Sequence, residues 1–424
     1  MGQKLTAFFS KTLILLCFIL FSSIFIYINY IAAPSYRAPV MKSLFITAAF
    51  LLVFILIDKG FKMMKIEDNK KLNYTVLGII LIAGFILRIY WINSVDTLQV
   101  SDFERMWQSA AEIASGNYSR FQKDGYLYTY PHLAFTTLFY TARYKIFGGS
   151  ITAMKMINAL LSVGTCVLVY LIANQLCDLG RETFSAKSTE ASVKAYDGIK
   201  VKASQGSYTD SPKKLIALII MAVNAPFIFF NNILDSQNLA MVFFYAAVLI
   251  YLKVFNDRMN PLYLIAAGVL LSAGNLFRSV GIIFVIAMIM HMLIYSTYKL
   301  SPIFKKGKKK LSLDRNLLKP MFLVLMLLAM YVTTFALNYA FIWSGVFQKP
   351  TWDTGGNMIL YINAGFNHES NGMWNQQDYD LLRDVNFDYD LAEIEAKNRL
   401  RERLSDKDKV MTLISNKVKV QWGT

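Results

Sequence analysis

Charge is scarce in this chain. Only 17% of its 424 residues are Asp, Glu, Lys or Arg, where a soluble domain carries roughly a quarter. With 55% hydrophobic residues and a mean hydropathy of +0.39, that scarcity argues against soluble, disordered and fibrous classes. Acids are scarcer than bases, 28 against 44, so the net charge is 44 − 28 = +16. Cysteine is scarce too. Cys17, Cys166 and Cys177 lie within or at the end of apolar runs, too few and too dispersed for a disulfide framework and without metal-ligand spacing. Three histidines remain. His291 stands alone in an apolar run, and His132 and His368 have no Cys or acid at ligand spacing. No internal repeat is visible, so the usual pointer to an inverted-repeat transporter is missing.

Long apolar runs are abundant. A helix needs roughly 20 mainly apolar residues to cross about 30 Å of hydrocarbon. Runs near 7–31, 41–57, 74–92, 151–171, 215–230, 239–252, 262–276, 282–295 and 321–343 give about nine candidates. A further stretch, 132–147, holds Arg143 and Lys145 and reads as an interfacial or re-entrant helix, with a further span as the alternative. The basic residues cluster in loops 58–71, 178–214 and 301–319, while 231–237 has none and 93–130 has Arg105, Arg120 and Lys123. With a cytoplasmic N-terminus, the dense loops all fall on the cytoplasmic side. The excess positive charge then records membrane orientation, and no nucleic-acid partner is needed. Lys4 and Lys11 before the first run resemble a signal peptide, but the run is long and lacks a cleavage site, so an uncleaved span is expected. The 178–214 stretch, rich in Ser, Thr and Lys, reads as a flexible insert. Lysines in 305–310 read as a topology signal, with contact to anionic membrane lipid as the alternative.

Polar chemistry concentrates in two segments placed outside. In 93–130, Ser101 and Glu104 have the spacing of a capping box. Phe103, Met106, Trp107, Ala110, Ile113 and Ala114 follow at helical spacing up to Gly116, which predicts a short amphipathic helix on the membrane surface. Asp102 falls in its first turn, where free N–H groups favour a carboxylate; a helix cap is the bland alternative. Asp235 is an isolated acid in a tight loop, and Arg278 sits between two apolar runs, where a guanidinium suits a carboxylate or phosphate. Arg88 near the end of its run is a second such base, or merely snorkels. In 344–424, the loop 365–375 contains Asn367, His368 and Trp374 and has the polar-aromatic character that packs on sugars. Asp378-Tyr379-Asp380 and Asp388-Tyr389-Asp390 match a D-x-D metal motif, yet read better as helix caps. A charged surface helix over 391–404 follows, with Glu393–Lys397 and Glu395–Arg399 pairs.

In order along the chain, Leu87-Arg88-Ile89-Tyr90, Ser101-Asp102-Phe103-Glu104, Ala110 to Tyr118, Tyr130-Pro131-His132, Ile146 to Ser150 and Met156 to Leu161 form a set that resembles the GT-C superfamily of membrane glycosyltransferases. It is most similar to the bacterial branch related to protein O-mannosyltransferases and lipid A aminoarabinose transferases, over roughly 74–424. The expected fold is an all-α polytopic membrane protein: a GT-C-like transmembrane bundle with outer amphipathic helices and a polar outer C-terminal segment. Residues 1–72 would add two spans and a basic cytoplasmic loop, 73–343 the transmembrane module, and 344–424 an extracytoplasmic region. The resemblance implies transfer of a sugar from a polyprenyl-phosphate donor to an extracytoplasmic acceptor, in a plasma-membrane protein. Asp102 would be the acid-base residue with Asp235 as second acid; Arg278 and Arg88 would hold the donor phosphate; Glu104, Tyr130, His132, Asn367, His368 and Trp374 would bind sugar or acceptor. Phe103 stands where many relatives carry a second acid, which leaves a divalent metal open and makes no other cofactor expected. The chain stops at Thr424 before the further spans of relatives, which reads as truncation. Two other classes compete: a transporter or flippase of lipid-linked precursors, and a non-catalytic scaffold of envelope assembly.

Overall fold

The computed structural model describes residues 40–66, 68–194, 213–256, 259–300, 315–355 and 357–422, with isolated positions in 12–23. The first expected span, Cys17 and most of the second and third basic loops lie outside the described residues or their described side chains. Among the described residues the structure is helical, with no strand. In chain order the described helices of five residues or more are α1 (Val40–Met63), α2 (Lys70–Ser94), α3 (Asp102–Ala114), α4 (Ala134–Phe147), α5 (Ile151–Lys194), α6 (Lys213–Ala222), α7 (Ala225–Phe229), α8 (Gln237–Phe255), α9 (Tyr263–Phe277), α10 (Gly281–Leu300), α11 (Arg315–Trp343), α12 (Met358–Gly365), α13 (Gln376–Asp384), α14 (Tyr389–Ser405) and α15 (Lys407–Trp422).

Among the described residues, four helical segments are long and apolar enough to cross a membrane: Lys70–Ser94, Ile151–Cys177, Gln237–Phe255 and Met321–Trp343. A fifth arises if α6 and the segment after it, bent by 49°, count as one span. Tyr263–Phe277 and Gly281–Leu293 are apolar but shorter. Helix α5 continues to Lys194, so the first part of the expected flexible insert is helical.

Helix α8 is the centre. Over half of its apolar window is buried, where it packs against α5 and α9, and α9 in turn packs on α11. The approach of α9 to α11 depends on a missing side chain. A Cβ on Gly268 would lie 2.2 Å from the Met326 carbonyl oxygen and 2.9 Å from the Ala329 Cβ. Small residues allow such contact where hydrophobic exclusion from water does not drive association. Peripheral helices instead keep large apolar side chains exposed, as Ile79, Ile82 and Ile86 do on α2 and Val324, Leu328 and Tyr331 on α11.

The connections α2–α3, α7–α8 and α9–α10 meet at one end of the bundle. The Gln99 amide stitches two of them, donating to the Asn232 carbonyl (3.0 Å) and accepting from the Leu234 N–H (2.8 Å). Asn232 Nδ2 donates to the Val95 carbonyl at 2.8 Å, and Asn158 Nδ2 from α5 to the Ile233 carbonyl at 3.0 Å. The lysines around 58–71 lie at the other end of α2, a 25-residue helix, about 37 Å away at 1.5 Å per residue.

The 132–147 stretch forms a 3-10 turn, Pro131–Leu133, followed by α4. Much of its surface is covered by protein. Phe135, Thr136, Thr137, Tyr140 and Arg143 are buried, because α4 is sandwiched between α3 and α9. The C-terminal helices close over this end: the Gly355 N–H donates to the Tyr128 carbonyl at 3.0 Å, and the rings of Tyr128 and Tyr389 lie 5.7 Å apart.

Candidate functional site

Where these connections converge, a cavity of about 850 Å³ opens. Asp102, Asp235, Arg278 and His132 line it together with Asn275 and Tyr361. Separate elements supply these groups: the start of α3 (Asp102), the turn before α8 (Asp235), the end of α9 and the turn after it (Asn275, Arg278), the segment entering α4 (His132), and α12 (Tyr361). The remaining walls are largely apolar, with Phe103, Phe135, Phe230, Phe277, Trp352 and Met358 among them.

Helix α3 is amphipathic as its sequence predicts. Met106, Ala110 and Ile113 are buried, and Gly116, at φ +93°, ends it. The expected capping box does not form. Ser101 has φ +55° and makes no side-chain cap bond; that backbone turns its hydroxyl away from the helix N–H groups, a conformation unusual for a non-glycine residue. Glu104, the other half of the box, accepts from Gln108 Nε2 at 3.0 Å and does not line the cavity. The turn leaves Asp102 at the cavity wall, where its Oδ1 accepts a 2.6 Å hydrogen bond from the Tyr126 hydroxyl. Burial, and next the bond to Asp102, push the Tyr126 pKa far above the ordinary phenol range. Tyr126 therefore remains a donor and holds Asp102 in place. Asp102 makes no ion pair among the described residues.

Asp235 is buried and answers Arg278 directly. Its two oxygens accept from Arg278 Nη1 at 3.0 and 3.2 Å. The partners are unequally covered, with side chains 40% exposed for Arg278 and 8% for Asp235. The carboxylate anchors one edge of the guanidinium, while Nε and Nη2 make no hydrogen bond among the described residues. An anion in the cavity could accept from them.

His132 faces the cavity, so water reaches it, yet protein encloses most of the ring. Burial lowers its pKa; Asp102 opposes the shift and Arg278 adds to it. The shift favours the neutral ring. Its Nδ1 lies 3.2 Å from the Tyr361 hydroxyl. Tyr130 is one ring further on: its hydroxyl accepts from Trp374 Nε1 at 3.0 Å, and its ring lies 5.1 Å from that of Tyr126.

Other expected residues are not brought to this cavity. Arg88 is 0% exposed, deep between α2, α5 and α6. It donates to Ser162 Oγ (2.8 Å), the Gly84 carbonyl (2.8 Å) and the Ala222 carbonyl (2.9 Å). Its donors fasten the break between α6 and α7, so it neither snorkels nor reaches a cavity ligand. Asn367 is buried, donating to Asp378 Oδ2 at 3.0 Å, and His368 Nε2 lies 2.9 Å from the Arg403 carbonyl. Both serve a clamp within the C-terminal helices. At its centre, Asp378 accepts from Arg403 Nη2 (2.9 Å), Asn375 Nδ2 (2.7 Å) and Asn363 Nδ2 (3.2 Å). Burial raises the Asp378 pKa, but these hydrogen bonds outweigh it and hold the carboxyl below its usual range. Asp388 caps α14, accepting from the N–H groups of Asp390 and Leu391.

The donor set does not suit a divalent cation. Of the two carboxylates at the cavity, Asp235 is already neutralised by Arg278, and among the described residues no group of three or more His, Cys, Asp or Glu is placed to hold a metal. Tyr126, Tyr361 and Trp352 have no counterpart among the residues singled out from the sequence. Tyr126 had a signal in its setting, the Tyr126–Tyr128–Tyr130 alternation in the same polar segment as Asp102. Comparison with family models, curated proteins and solved structures finds no match to this chain.

Proposed function

We propose that the protein is a membrane glycosyltransferase that moves a sugar from a polyprenyl-phosphate donor to an acceptor on the outer side of the plasma membrane, with inversion. One observation carries this reading: Asp102 and Arg278, 176 positions apart by 278 − 102, line one cavity whose other walls are largely apolar. A carboxylate, an anchored guanidinium and a greasy wall match an alcohol, a phosphate and a lipid chain. Its opening at the end opposite the 58–71 lysines supports an outer location under the positive-inside rule.

The reaction needs a base and a place for phosphate charge. The acceptor oxygen attacks the anomeric carbon and forms the new glycosidic bond. The bond from that carbon to the phosphate oxygen breaks, its electron pair leaving with the phosphate. Asp102 takes the acceptor proton. Arg278 stabilises charge growing on the leaving phosphate through Nε and Nη2. Asp235 acts through Arg278, fixing its orientation, and is a positioning residue here.

The test is sugar transfer from a radiolabelled polyprenyl-phosphate sugar in membranes bearing the full chain. Asp102→Asn should lower the rate by about 100-fold or more. Arg278→Ala should lower it by roughly 100-fold. Full activity of correctly inserted Asp102→Asn would remove the assigned base.

A further inference from the structure

A second, smaller cavity of about 100 Å³ adjoins the first. Tyr361 lines both, so one ring forms the partition. Around the smaller space stand Tyr130, Trp374 and Tyr379, with Asn363, Asn375 and Asp378 between them. Trp374 is 65% exposed although large and apolar, and its N–H is fixed to Tyr130, so the indole is held with surface left to offer. The clamp around Asp378 locks the amide-bearing wall in place. No Lys or Arg lines this cavity, in contrast to the first, where Arg278 does.

Rigid aromatic faces beside amide and carboxylate groups suit a ligand with apolar C–H faces and hydroxyl edges. The missing cation disfavours a phosphorylated one, because a buried phosphate needs a charged partner. We infer that this second cavity and the exposed Trp374 form an acceptor subsite for a neutral saccharide. The inference rests on the transferase reading for the word acceptor, and on its own geometry for the word saccharide. The acceptor glycan lies on Trp374 and passes Tyr361, and the hydroxyl of its terminal residue enters the larger cavity toward Asp102. The two cavities thereby separate the substrates by charge: phosphate on the Arg278 side, neutral sugar on the Trp374 side.

Calorimetric titration of the detergent-solubilised full chain tests this with neutral trisaccharides of glucose, of mannose and of N-acetylglucosamine, and with glucose 6-phosphate as the charged control. At least one trisaccharide should bind saturably. Trp374→Ala should weaken that binding about tenfold or more, while Trp374→Phe, which keeps a ring, should retain most of it. Absence of saturable binding by all three, binding untouched by Trp374→Ala, or equal binding of glucose 6-phosphate would each overturn the proposal. Asp102→Asn separates the two readings. Saccharide binding kept with transfer lost supports both; binding kept with transfer also kept sinks the catalytic assignment alone; transfer lost in Asp102→Asn with no saccharide binding in the wild type sinks the subsite alone.

Discussion

At the scale of single residues, the site depends on groups that hold other groups. Tyr126 is one. Removing its hydroxyl deprives Asp102 of a charge-assisted hydrogen bond, which is worth about 1.5–3 kcal/mol. Tyr126→Phe should therefore lower the thermal midpoint and, by releasing Asp102, slow transfer roughly tenfold or more in the assay used for Asp102→Asn. His132 gives a pH signature. Its folded pKa lies below its unfolded one, so its contribution to stability is fully present above the unfolded value. That contribution is lost as pH falls through the folded value. The thermal midpoint of the wild type should drop more steeply between about pH 7 and about pH 5 than that of His132→Gln. Sequence reasoning singled out Asp102 from its place in the first turn of an amphipathic helix, and Asp235 and Arg278 because charge at the end of an apolar run is costly and conspicuous. It misplaced Arg88 for the same reason: an arginine in a span looks the same whether it faces a ligand or the carbonyls of Gly84 and Ala222.

At the scale of elements, two contacts decide the geometry. The first is Gly268, where α9 meets α11 backbone to backbone. Gly268→Val should push the helices apart at a cost of about 1–3 kcal/mol or more, read as a lowered thermal midpoint, with transfer reduced because Phe277 and Arg278 ride on the end of α9. The second is the Asp378–Arg403 pair, with side chains only 9% and 13% exposed. Arg403→Leu leaves the carboxylate without its charged partner, a loss of about 3–5 kcal/mol for a buried pair. Limited proteolysis should then cut the region of α13–α15 faster, while the bundle core stays protected. Helix α3 was legible from its spacing, its Gly116 stop and its apolar stripe. The failed cap was not, since the positive φ of Ser101 is imposed by the turn delivering Asp102 to the cavity. The burial of α4 was also hidden: one of its partners, α9, lies in a distant part of the chain.

At the scale of the whole molecule, apolar periphery and polar end divide the labour. The scarcity of charge proved informative because the exposed flanks of α2 and α11 are apolar, as helices facing hydrocarbon require. Orientation can be read with single cysteines on a cysteine-free background. Under the proposed topology, Asn371→Cys should react with an impermeant maleimide added to intact cells, and Lys65→Cys only after the membrane is opened. The reverse pattern would put the cavity on the cytoplasmic side and remove the polyprenyl-phosphate reading. What the sequence could not show is how 344–424 sits. Polarity marks that region as loop and surface, yet Tyr361 and Trp374 come to rest against His132 and Tyr130.

The bend between α6 and α7 has a mechanical consequence. A broken helix beside a cavity invites comparison with a hinge, but Arg88 makes this one a weld. Straightening it would pull the Ala222 carbonyl away from a guanidinium with no water to replace the lost acceptor, a penalty of about 1–3 kcal/mol or more. The wall carrying Phe230 and Asp235 is therefore stiff. Under the proposed function, entry of a long-chain substrate is expected beside Trp352 and Met358, which line the cavity and stand exposed.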